Sequence, residues 1–359
     1  MYYNVILTLK CNLNCLYCGG GYSASRLPKE VQYEIKDLKT FVEQDPNPII
    51  LFYGGEPLLR IQLMEDIMNN ISADAYILQT NGLLLDKIKP NILKKFHTIL
   101  ISLDGNEEIT DFYRGKNTYR TVIKNLMKIR DDFKGEIIAR MTISEETEIY
   151  DAVNWLLGLR PLIDSIHWQL NMMFDERKKW RDLEDWIKNS YNPQITRLIN
   201  DWLGTMKMEQ RVLKLYPFIA IMESLLKDEH SKLRCGSGWI WFNINTDGII
   251  SACPVCSEFE IFQVGNINTS NYKDIKNALD VKQPCLDCEV HSICGGRCLY
   301  SNYTKPWGEE GFRIVCSTVK HLIKELHRIQ PEVDRLIKDK KIKLEDFSHF
   351  RYNGCEIIP

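Results

Sequence analysis

The chain predicts an α/β fold, a partial (β/α)6 barrel of the TIM type followed by a smaller, cysteine-rich α+β domain. Three observations carry this. Six β-rich runs recur through the first half, helical patterns separate them, and eight cysteines crowd into the stretch from Cys235 to Cys316. Strands alternating with helices imply a parallel sheet, because each parallel return needs a crossover.

The runs are Tyr3–Leu9, Pro48–Tyr53, Ala75–Thr80, Thr98–Leu103, Ile137–Ile143 and Ser165–Met172. After the first, Val31, Ile35, Leu38 and Val42 recur at helical spacing. In parallel barrels the residues just past the strand carboxyl ends form the active site. Four motifs fall there: Cys11 to Cys18, Gly54-Gly55-Glu56-Pro57, Thr80-Asn81-Gly82 and Ser102-Leu103-Asp104-Gly105. Residues 175–230 break the alternation and read as a helical bridge or a lid. Within them Asn192-Pro193 reads as an N-cap and first helical residue. Ile195, Leu198, Ile199, Trp202 and Leu203 then form one apolar face before Gly204. Farther on, Trp239–Asn245 and Ile249–Ala252 flank Thr246-Asp247-Gly248, a hairpin signal. A last helix carries Val319, Leu322, Ile323, Leu326 and Ile329 and is expected to end near Pro331. The domain boundaries this implies are 1–175 for the core, 176–234 for the bridge, 235–320 for the cysteine-rich domain and 321–359 for a helical tail.

With 359 residues, 44 % hydrophobic and 26 % charged, the chain suits two soluble globular domains, or one barrel with an appendage. A formal net charge of −2 offers no global basic field, so no nucleic-acid partner is expected. The most apolar stretch, Phe218 to Leu226, is short and interrupted by Glu223, so no membrane span is expected. No secretion signal opens the chain. Twelve cysteines in a non-secreted protein argue for metal or redox chemistry rather than a disulfide framework, in a reducing, oxygen-poor cytoplasm.

Cys11, Cys15 and Cys18 form Cys-x3-Cys-x2-Cys directly after the first strand. Three adjacent thiolates can hold three corners of a cubane iron–sulfur cluster and leave the fourth iron open to a reacting ligand. Structural zinc, the alternative, usually wants four ligands in two separated pairs. Tyr17 can shield the cluster or pack in the core. The glycines of Gly54-Gly55-Glu56-Pro57 permit close backbone approach, and free carbonyls or Glu56 can accept hydrogen bonds from an ammonium group. The plain alternative is a glycine turn with Pro57 starting a helix. Ser102 and Asp104 offer acceptors at the depth of ribose hydroxyls, although Asp104 also suits a turn cap. Asn81 is placed to touch a ligand or simply to make an Asn-Gly turn. Arg114 and Arg140 can each fork a carboxylate.

The cysteine triplet with Gly-Gly-Glu-Pro after the second strand resembles the radical S-adenosylmethionine (SAM) superfamily over roughly residues 1–175. The resemblance implies a [4Fe–4S] cluster that binds SAM at its open iron and reductively cleaves it to a 5′-deoxyadenosyl radical. It further implies that residues 54–57 hold the methionine amino group and supports Ser102 as a ribose contact. An electron donor such as ferredoxin or flavodoxin is implied with it.

The later cysteines, Cys235, Cys253, Cys285-x2-Cys288-x5-Cys294-x3-Cys298 and Cys316, resemble the SPASM domain of peptide- and protein-modifying radical SAM enzymes. That resemblance implies two further [4Fe–4S] clusters, three in all. Cys235, Cys253 and Cys298 would hold the nearer, and Cys285, Cys288, Cys294 and Cys316 the outer. The nearer cluster's fourth ligand is Cys256 or a substrate cysteine. His291 leaves a zinc reading open with Cys285 and Cys288, and Cys355 stands apart as a spare thiol. Pro254 occupies the place where sulfatase-maturating relatives have an aspartate base, which disfavours formylglycine formation. The core also begins too early for an amino-terminal leader-binding domain, so a separate leader-binding protein or direct reading of the substrate is expected. The activity expected is oxidation, cross-linking or epimerisation of a side chain in a ribosomal peptide or protein. The alternative is a small molecule such as a porphyrin or a metal-cofactor precursor.

Overall fold

The computed structural model describes residues 1–18, 26–171, 182–354 and 357–359. Met172, residues 176–181 of the expected bridge and Cys355 lie outside them. The chain forms two compact units. The first comprises Met1–Leu103, Glu107–Ile138 and Gly236–Asp280; the second comprises Asp104–Asn106, Ala139–Cys235 and Val281–Pro359.

All six expected runs form strands: β1 (Tyr2–Thr8), β2 (Ile49–Gly54), β3 (Ala75–Thr80), β4 (Phe96–Ser102), β5 (Glu136–Ile143) and β6 (Ser165–Leu170). In the first unit β1 to β4 are parallel neighbours, with Val5 opposite Phe52 and Leu51 opposite Ile77. Ile50, Phe52, Leu78 and Ile99 are fully buried, as expected of a parallel sheet covered on both faces.

The predicted hairpin is present as β7 (Trp241–Ile244) and β8 (Ile249–Ser251), antiparallel, with Gly248 at φ +85° in its turn. Its position was not foreseen. β7 lies parallel to β1, pairing Tyr2 with Trp241, and β9 (Gln263–Asn266) completes the order β4-β3-β2-β1-β7-β8-β9. Buried Asn4 of β1 donates to Asn243 of β7 at 2.6 Å, a polar registration mark inside an otherwise apolar junction.

The second unit holds β6 beside β5 and a helical layer. Trp168 of β6 is fully buried, edge-on to Phe218 at 5.3 Å, with its indole N–H donating to the Tyr191 hydroxyl at 3.1 Å. Two helix ends differ from expectation. Asn192 does not cap a helix, because a short helix (Leu183–Trp186) and a π-turn (Ile187–Tyr191) run straight into Asn192–Glu209. That helix passes Gly204, since Met206 extends its buried face, and it stops at Gln210 with φ +53°. The last helix likewise spans Gly308–Lys338 and continues through Pro331. Val333 and Leu336 prolong the buried stripe, which outweighs the one hydrogen bond a proline removes. Among the described residues no helix is long and apolar enough to cross a membrane.

Candidate iron–sulfur and cofactor site

The loops after β1, β2 and β3 are stitched together by backbone bonds. Gly55 N–H donates to Thr8 O at 2.9 Å and Glu56 N–H to Lys10 O at 2.9 Å. The approach is so close that a Cβ on Gly54 would stand 2.2 Å from Thr8 O, and one on Gly55 would stand 2.3 Å from Lys10 O. Both positions therefore demand glycine, and Gly54 also takes φ +145°. Pro57 opens the short 3-10 turn Pro57–Arg60.

Glu56 is fully buried and its carboxylate is turned into the protein. One oxygen accepts from Leu58 N–H (2.9 Å) and the Thr80 hydroxyl (2.7 Å), the other from Asn81 N–H (2.7 Å). Burial raises its pKa and these donors oppose the rise. These bonds lock the β2 loop to the end of β3. Asn81 in turn donates to Asn12 Oδ1 at 2.7 Å and points its amide at Cys11 Sγ, 3.8 Å away. Leu13 N–H lies 3.4 Å from the same sulfur. N–H groups aimed at a thiol are the environment a cluster thiolate requires.

Cys11 and Cys18 are exposed residues and Cys15 is half-buried, while burial of its sulfur raises the pKa of Cys11. Leu16 N–H donates to Tyr113 O at 2.8 Å, Tyr17 packs on Tyr113, and the Arg114 guanidinium stands over the Tyr17 ring at 5.3 Å. Arg114 is thereby brought to the cysteine loop. Ser102 ends β4, half-buried. Asp104 belongs to the second unit, where its buried carboxylate accepts from Thr142 N–H at 2.9 Å and ties the turn after β4 to β5. Arg140 is engaged elsewhere: it donates to Gly354 O and, at 3.0 Å, to Gln169 Oε1. Asn12 and Tyr113 were not singled out from sequence, and Thr80 only as part of the Thr80-Asn81-Gly82 motif. Its place beside Asn81 is the only signal for any of the three.

The later cysteines fit clusters by chemistry and placement. In the first unit Cys253 and Cys256 follow β8 with their sulfurs 3.5 Å apart. The Cys256 thiol donates to Cys253 and lowers its pKa; burial opposes this, while nearby N–H groups and the Ser237 hydroxyl assist. In the second unit Cys285, Cys288, Cys294, Cys298 and Cys316 line one small cavity, together with Arg297. Burial pushes Cys294 up to about 11 and Cys316 to about 12, values that bound iron would reverse by supplying positive charge. Asn302 donates to Cys285 Sγ at 3.3 Å. Cys235 is half-buried in that unit. Among the described residues no three His, Cys, Asp or Glu side chains converge on the position of a single metal ion.

Comparison with known proteins agrees with this geometry. The Radical SAM superfamily model matches residues 5–154. The chain is 24 % identical over 324 residues to a cysteine-type anaerobic sulfatase-maturating enzyme of Clostridium novyi, covering 80 % of this chain and 84 % of that one. It is 30 % identical over 140 residues to the Fe-coproporphyrin III synthase of Methanosarcina barkeri, covering 35 % of this chain and 33 % of that enzyme's length. Among solved structures, native anSMEcpe with bound AdoMet matches with a TM-score of 0.74 at 18 % identity, over 94 % of this chain and all of that chain (100 %). Streptococcus suis SuiB bound to precursor peptide SuiA matches with a TM-score of 0.57 at 17 % identity, over 83 % of this chain and 71 % of that one. These likenesses show a mostly parallel α/β part-barrel with a carboxy-terminal domain.

Proposed function

From the match of the Radical SAM superfamily model to residues 5–154, we propose that the chain is a radical SAM enzyme that modifies a side chain of a ribosomal peptide or protein in an oxygen-poor cytoplasm. One observation carries the choice of substrate class: the thiols of Cys285, Cys288, Cys294 and Cys316 gathered around one cavity, beyond the matched core. The similarity to a sulfatase-maturating enzyme extends over 80 % of this chain, and SuiB, a structural likeness, was solved with a precursor peptide. Pro254, which carries no proton-accepting group, starts the turn after Cys253, which disfavours formylglycine as the product.

Cys11, Cys15 and Cys18 would hold the catalytic [4Fe–4S] cluster, and SAM would lie along the loops after β2, β3 and β4. When bound, the cluster supplies the electron that cleaves SAM and so generates the radical that takes a hydrogen atom from the substrate. Glu56 fixes the β2 loop against Thr80 and Asn81, and main-chain carbonyls of that loop would accept from the SAM ammonium. Arg114, over the Tyr17 ring of the cysteine loop, would pair with the SAM carboxylate, and Ser102 would meet ribose. Asp104 and Arg140 are bonded to β5 and β6 and would contact SAM less directly. Two auxiliary clusters would use Cys235, Cys253, Cys256 and Cys298, and Cys285, Cys288, Cys294 and Cys316. Cys256 is favoured over a substrate thiol because its sulfur already lies beside that of Cys253. A ferredoxin or flavodoxin would supply electrons, and a separate leader-binding protein could present the peptide.

A tetrapyrrole or metal-cofactor precursor is the second reading, favoured by the 30 % identity to a coproporphyrin enzyme within the core. Anaerobic reconstitution with SAM, reductant and candidate precursor peptides separates the two by mass spectrometry. A defined mass change on a peptide is expected. Cleaved SAM with unaltered peptides and a converted porphyrin would overturn the peptide reading.

A further inference from the structure

Two neighbouring strands of the second unit carry a polar row where a parallel sheet is normally apolar on both faces. Arg140 on β5 and His167 and Gln169 on β6 share one face, linked by Arg140 Nη2 to Gln169 Oε1 at 3.0 Å and Arg140 Nη1 to His167 Nδ1 at 3.5 Å. Trp168, between His167 and Gln169, turns the other way into the helical layer. His167 is fully buried. A buried polar row is costly unless hydrogen-bonded, and here its partners are the main-chain carbonyls of Gly354 and Ile357. Arg140 donates to Gly354 O and His167 Nε2 donates to Ile357 O at 3.2 Å. The chain is also held on either side of these two, by Asn353 Nδ2 on the Tyr216 hydroxyl (2.9 Å) and by the Thr318 hydroxyl on Pro359 O (3.2 Å). The side chain of Ile358 is buried at 2 % exposure.

Three of these four contacts go to main-chain carbonyls, at positions 354, 357 and 359, and one buried aliphatic side chain sits between the last two. Main-chain carbonyls give a peptide affinity with little dependence on sequence, and a pocket for a side chain gives selectivity. We propose that Arg140, positioned by Gln169, and His167 form a binding site for the main chain of the substrate peptide, occupied at rest by Gly354 and residues 357–359, which an incoming peptide with an aliphatic residue must displace. This rests on the peptide reading above and adds the place where the peptide is gripped.

The test uses the full chain and a fluorescein-labelled peptide of residues 353–359 carrying Cys355→Ser. Two variants release the resident segment by different means. Ile358→Glu puts a charge into the aliphatic pocket, and Gly354→Val strains a backbone held at φ +90°. By fluorescence anisotropy the wild type is expected not to bind the labelled peptide, and both released variants to bind it. Adding Arg140→Met should weaken that binding by at least about tenfold, the usual effect of losing a charge-assisted hydrogen bond. Circular dichroism melts establish that the variants are folded. Should neither fold, hydrogen exchange on the wild type gives the answer: excess unlabelled peptide should expose the amides of Ile357 and Ile358. A folded released variant that does not bind, binding indifferent to Arg140→Met, or exchange unmoved by excess peptide each overturns the site. The readout needs neither SAM nor clusters, so it fails separately from the functional reading. Peptides processed without binding here remove the site alone, whereas porphyrin conversion with unaltered peptides removes the substrate class.

Discussion

At the scale of single residues, Glu56 is the most consequential carboxylate in the first unit. It spends both oxygens on Leu58, Thr80 and Asn81 and none on solvent. Glu56→Gln would turn one acceptor into a donor facing an N–H or a hydroxyl. The expected cost is roughly 1–3 kcal/mol, that of a buried unsatisfied pair, read as a lowered denaturant midpoint, together with a raised KM for SAM. An unchanged midpoint would show that the loop is held by other means. Glu223 makes a pH prediction in the second unit. Burial works to raise its pKa, but Lys227, His349 and Arg351, at 2.7, 3.3 and 3.3 Å, hold it below the ordinary value. A depressed folded pKa contributes stability that is present above the unfolded pKa and lost as pH falls through the folded one. Glu223→Gln should therefore lower stability at pH 7 and flatten the acid side of the profile. Equal losses at pH 7 and at pH 3 would contradict this.

At the scale of elements, strands were legible because apolar runs bounded by turn residues have few other uses. All six lie within a few residues of expectation. Helix ends were less legible. Gly204 and Pro331 are local stop signals, yet Met206, Val333 and Leu336 continue buried stripes past both, and tertiary burial exceeds the local penalty. The cysteine and glycine motifs could be read because a thiol triplet and a glycine pair each answer a demand that few other residues meet. The roles of Asn12, Thr80 and Tyr113 could not, since they depend on which loops meet in space. The same reasoning makes Gly55→Ala informative: its Cβ would lie 2.3 Å from Lys10 O, so the β1 and β2 loops must part. Loss of roughly 1–3 kcal/mol, as for other forced repacking, and of iron from the first cluster are expected. Full iron content with normal SAM cleavage would show that the contact is dispensable.

At the scale of the whole molecule, chain order and spatial order diverge. Residues 236–280 return to the first unit and lay β7 along β1, so Cys253 and Cys256 belong with the cysteine loop's unit although they follow it by more than two hundred residues. Sequence supplied the hairpin, but the identity of its neighbour is a long-range pairing that no local pattern encodes. The cysteines proposed for the outer cluster, Cys285, Cys288, Cys294 and Cys316, all lie in the second unit, which yields a separable prediction. Cys294→Ala with Cys316→Ala should remove about four irons per chain while SAM still binds; retention of that iron would refute the ligand assignment.

The most direct measurement is electron paramagnetic resonance of the reconstituted, dithionite-reduced chain, taken with and without SAM. An open iron held by Cys11, Cys15 and Cys18 predicts a signal that shifts when SAM is added and disappears when all three are replaced by alanine. A spectrum indifferent to SAM, or a shift that survives the triple replacement, would contradict the assignment of that site.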